Sequence, residues 1–136
     1  MENLVFCTGK KDFLLNGHLF RFNPSDPGLY SKLLTAAGKI QAMQAEFCCA
    51  GEMSVADALR IFEEADARAK RILAEVFPGN DFFEIFDGVN IVALDLKGNR
   101  AIDGFFDAIR PVVVEGMREM FRADMAAVKK YTAAYE

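Results

Sequence analysis

Two periodicities divide the chain. Over the first 23 residues apolar and polar positions alternate, with Leu4 and Phe6 set against Val5 and Cys7, and then Phe13-Leu14-Leu15 and His18-Leu19-Phe20-Arg21-Phe22 on either side of Asn16-Gly17. A period of two marks strands. Asn-Gly suits the two positive φ angles of a type I′ turn, so an antiparallel hairpin is predicted there. If Leu4 to Thr8 also pairs, through a turn at Gly9-Lys10-Lys11-Asp12, the hairpin becomes a three-stranded meander. Asn23-Pro24-Ser25-Asp26-Pro27 ends the pairing, because proline has no N–H to give a ladder and biases its predecessor away from helix.

From Gly28 onward the period becomes helical. Tyr30, Leu33, Ala37, Ile40 and Phe47 fall on one stripe with Leu29, Ala36 and Met43 beside it, which predicts a helix of about 20 residues ending near Gly51. Ser54 with Asp57 three residues later resembles a capping box, and Val55, Leu59, Phe62, Ala65, Ala69, Ile72 and Val76 predict the buried face of a second helix. Its outer face receives the i,i+4 pairs Glu64 with Arg68 and Asp66 with Lys70, each contributing a few tenths of a kcal/mol. Asn80 or Asp81 caps a short helix through Phe82, Phe83, Ile85 and Phe86, closed by Asp87-Gly88. Residues 89–98 fit a short strand or another helical piece equally. A last helix is predicted from about Arg100, with Ile102, Phe105, Phe106, Ile109, Val113, Met117, Met120 and Phe121 inward and a kink or break at Pro111. Gly104 and Gly116 inside it point to close backbone packing or bending. The pattern as a whole predicts a mainly helical α+β single domain over residues 1–136: an N-terminal antiparallel β-hairpin or three-stranded meander (1–23) followed by a helical bundle (28–136).

Charge narrows the choice of partners. Sixteen Lys and Arg against 20 Asp and Glu give a net charge of −4 and a pI near 5.1, so no basic field gathers nucleic acid or anionic lipid. No apolar run reaches the roughly 18 to 20 residues that span a bilayer, and the N-terminus has neither the basic start nor the apolar stretch of a secretory signal, so a cytoplasmic location is expected. Cys7, Cys48 and Cys49 form no CxxC clip and read as reduced, partly buried thiols.

Catalytic chemistry is poorly supplied. His18 is the only histidine and falls on a strand just after the turn; there is no glycine-rich phosphate loop and no GxSxG nucleophile elbow. Glu63, Glu64 and Asp66 read as a solvated helix face, and Asp81, Glu84 and Asp87 as capping charge. Asp95, Lys97 and Asn99 imitate an EF-hand start, but a lysine occupies a ligand position. The expectation is a protein that is not an enzyme and takes no metal or cofactor. The 13 Phe and six Met are the stronger signal, since thioethers and aromatic rings suit an adaptable protein-binding groove.

The order of elements, FLLNGHLFRFNPSD followed by two amphipathic helices, then FFEIFDG and FFDAIRPVVVEGMREM, resembles the small tail assembly chaperones of long-tailed phages and prophages. The resemblance implies a non-enzymatic chaperone in a bacterial host cell that coats the helical tape measure protein and helps recruit tail tube protein. It also implies a longer product made by ribosomal frameshifting, for which Lys129-Lys130 marks a candidate slippery site. Apolar excess nominates Phe82, Phe83, Phe86, Met117, Met120 and Phe121 as partner-binding residues. A small helical dimerisation or regulatory module, forming a homo-oligomer through its exposed Phe surface, is the alternative.

Overall fold

The computed structural model describes residues 1–46 and 52–135. Strands β1 (Lys11–Leu15) and β2 (His18–Phe22) form a two-stranded antiparallel hairpin with Phe13 opposite Phe20 and Leu15 opposite His18. The turn between them has φ of +52° at Asn16 and +79° at Gly17, the left-handed pair that an Asn-Gly turn supplies. Alternation then sorts the side chains: Phe20 and Phe22 are buried, whereas Leu14 and Leu19 point to solvent. Residues 1–10 form no strand and are exposed, so the predicted pairing of Leu4 to Thr8 does not occur. The turn expected before β1 is used up by β1 itself, where Asp12 faces Arg21 and bonds its guanidinium. That carboxylate's hydrogen bond and charge hold the Arg21 guanidinium above its ordinary pKa.

Helix α1 (Pro27–Glu46) buries Leu29, Leu33, Ala36, Ile40 and Met43. Tyr30 of the predicted stripe instead lies 38% exposed; Phe47, Cys48, Cys49 and the expected cap at Gly51 lie outside the described residues. Helix α2 (Val55–Val76) starts as its sequence dictates, with the Asp57 N–H donating to Ser54 Oγ at 3.2 Å. Its first two turns are not buried, Val55 and Leu59 being exposed; the packed face is Ala65, Ala69, Leu73 and Val76. The short helix α3 (Phe82–Ile85) is capped by Asp81, whose carboxylate accepts from the Phe83 and Glu84 N–H groups. Helix α4 (Ala101–Tyr135) runs unbroken through Pro111. The expected break is avoided because Pro111 and Asp107, whose carbonyl loses its helical partner, are both on the solvent side.

The core joins the hairpin to every helix. At its centre Phe20 meets Phe22, Phe77, Phe82 and Phe105 with ring centroids 5.0 to 6.0 Å apart, mostly tilted or edge-on as aromatic quadrupoles prefer. Gly116 explains how α4 docks on the end of the hairpin: a Cβ there would overlap the Pro24 carbonyl oxygen, so only glycine lets the two backbones approach. Gly104, by contrast, faces open space. Asn80 closes the free edge of β2 by accepting from the Arg21 N–H at 2.8 Å and donating to the Arg21 carbonyl at 2.9 Å.

Two further features differ from the sequence expectation. Residues 89–98 form neither strand nor helix but a loop organised by side chains, with the single bridge Leu94 to Arg100. The Asp95 carboxylate accepts from the Asn99 and Lys97 N–H groups at 2.9 and 2.8 Å, and these bonds hold its pKa below the ordinary carboxylate value. Asp66 and Lys70 belong to the interior rather than to a solvated face: the Lys70 side chain is 2% exposed. Its ammonium bonds Asp66 Oδ2 at 3.0 Å and the Val89 carbonyl at 2.9 Å, while Asp66 Oδ1 accepts from the Ile91 N–H. The loop thus lies over the helix and covers the pair.

Candidate partner-binding surface

Residues of α1 and α4 together line a groove of about 680 Å³. The inward residues Leu33, Ile40, Ile109 and Val113 form its floor, and they are buried because they also face the core. Its walls hold Tyr30, Leu34 and Val114, with exposures of 38%, 58% and 39%, and the half-buried Phe106. The rim is polar, with Asp103, Asp107, Arg110, Gln41 and Gln44. Arg110 bonds Asp107 at 3.3 Å, one turn away on the same helix. An apolar trough with a polar rim is the arrangement that accepts an amphipathic helix.

The six residues nominated from sequence do not come together. Phe82 and Phe86 are core residues, 2% and 6% exposed, stacked against Phe105; Met117 is also buried. They fill the interior because the hairpin and α3 meet there, and they are unavailable to a partner in the folded chain. Phe83 is exposed, its ring 4.8 Å from the Lys70 ammonium in a shallow depression on the α2 side. Met120 is half-buried. Phe121 is 60% exposed and shares a patch on the terminal part of α4 with Met125, Arg118 and Arg122. Of the groove residues, periodicity assigned Tyr30 to the buried stripe of α1, and it did not single out Leu34 or Val114. The available signal was apolar excess: Leu33-Leu34 and Val112-Val113-Val114 place apolar side chains on more of each helix than a single buried face needs.

The remaining polar groups have structural roles. His18 Nε2 lies 2.7 Å from Asp87 Oδ1, tying the hairpin to the end of α3, where Asp87 has a φ of +53°. Among the described residues no group of three or more His, Cys, Asp or Glu side chains is placed to hold a metal ion. No helix among them is long and apolar enough to cross a membrane. Comparisons with protein-family models, with curated proteins and with solved structures find no match for this chain.

Proposed function

We propose that the protein is a tail assembly chaperone of a long-tailed phage or prophage, acting without catalysis in the cytoplasm of the bacterial host. Its client is the tape measure protein, held as an amphipathic helix in the groove between α1 and α4, and its second partner is the tail tube protein. The observation that carries the reading is the groove itself, with Tyr30, Leu34 and Val114 uncovered beside a buried floor. Such a surface shields an aggregation-prone helix by covering its apolar stripe. The net charge of −4 keeps a complex of this kind in solution. The order of hairpin, two amphipathic helices and phenylalanine-rich segments supports the choice of client through its resemblance to tail chaperones.

Co-expression tests the proposal. A long helical tape measure fragment should be insoluble alone and soluble with the chain, and Leu34→Glu with Val114→Glu should abolish this protection while far-UV circular dichroism stays unchanged. A client solubilised equally well by the double variant would remove the groove from the account.

A further inference from the structure

One exposed face of α4 is charged asymmetrically along its length. Asp103 and Asp107 lie toward its N-terminal end and Arg118 and Arg122 about three to five turns farther on, all four exposed. Between them on the surface are Pro111 and Val114. The spacings 103, 107, 111, 114, 118 and 122 are steps of three or four, which hold one side of a 3.6-residue helix.

From this face we infer that a second copy of the chain docks antiparallel on α4. A two-fold axis passing between residues 112 and 113 brings Asp103 opposite Arg122 of the other copy and Asp107 opposite Arg118. The same axis puts Pro111 against Val114 at the centre. Both charge pairs are of opposite sign, so the face is complementary to itself in this orientation and repulsive to itself when parallel. The contact from residue 103 to residue 122 is about 28 Å long. Tyr30 and Leu34 of α1, exposed beside it, widen it. Within one chain these charges are engaged only by neighbours on their own helix, Arg110 with Asp107 at 3.3 Å and Arg118 and Arg122 with Glu115 at 3.7 and 3.5 Å. Surface pairs of that kind are weak enough to exchange for contacts across an interface. The second copy covers Tyr30, Leu34 and Val114, which also wall the groove proposed for the client, so dimerisation and client binding exclude each other on this surface, and the dimer is tested on the chain alone.

Sedimentation velocity on the whole chain provides the test, with circular dichroism to follow helicity. The wild type should form a dimer, and Asp107→Arg and Arg118→Asp should each weaken it by about tenfold or more through like-charge contacts. The double variant D107R/R118D should restore the wild-type association, because it exchanges the two signs without removing the pairing. If either change reduces helicity, Asp103→Arg with Arg122→Asp makes the same comparison at the outer pair. A chain that is monomeric at about 100 micromolar, a dimer indifferent to the single changes, or a double variant as weak as the singles would overturn the inference.

Discussion

Lys70 and Asp66 form a 3.0 Å ion pair in which the lysine side chain is 2% exposed and the aspartate 16%. The pair fixes the loop that follows α3, since the ammonium holds the Val89 carbonyl and the second carboxylate oxygen holds the Ile91 N–H. Ile91 is thereby held in the core with no solvent exposure. Asp66→Ala should therefore destabilise the fold by about 3–5 kcal/mol, the cost of leaving a buried charge without its partner. Glu64→Ala and Arg68→Ala, on the exposed face of the same helix, should stay within about 0.5 kcal/mol. Urea unfolding of the three variants makes the comparison.

Gly116 and Gly38 separate packing from propensity. Both occupy helix interiors, where alanine is favoured over glycine by about 1 kcal/mol. At Gly38 no atom lies within 4 Å of an added Cβ, so Gly38→Ala should raise the thermal midpoint. At Gly116 the added Cβ would overlap the Pro24 carbonyl, so Gly116→Ala should lower it by forcing α4 away from the hairpin.

Asp95 should titrate below the ordinary carboxylate range, because the Asn99 and Lys97 N–H groups bond the charged form. A pKa depressed in the folded state means that this stabilisation is present above the unfolded-state pKa and fades as pH falls through the folded one. A carbon-detected NMR titration should show the low pKa, and Asp95→Ala should remove the acid-side loss of order in the 95–99 loop.

The apolar residues divide into two classes that mutation should distinguish. Phe82→Ala and Phe86→Ala should each cost about 3–5 kcal/mol of stability, as core truncations do. Leu34→Glu and Phe121→Ser should leave the unfolding midpoint almost unchanged, since both side chains are more than half exposed. Chemical denaturation checks both classes.

Much of the fold was legible in local chemistry. Asn16-Gly17 set the hairpin turn, Ser54 and Asp81 set helix starts, and the three-to-four spacing from Ile102 to Val113 set the buried face of α4. What periodicity could not supply was the tertiary choice among apolar positions. It placed Val55 and Leu59 inside although both are exposed at the start of α2, and it placed Asp66 and Lys70 outside although the 89–91 loop covers them. The nominated surface failed for the same reason. Phe82 and Phe86 look as available as Phe83 in sequence, and only the position of the hairpin and α4 separates them. Tyr30, Leu34 and Val114 line a groove only once the fold brings residues of α1 and α4 together.

The chaperone reading is tested most directly by sequencing the DNA on both sides of the gene. The account predicts a tail tube gene upstream, a very long helical reading frame downstream, and an A-rich slippery site near the Lys129-Lys130 codons. Metabolic or regulatory genes on both sides, with no long helical frame among them, would contradict it.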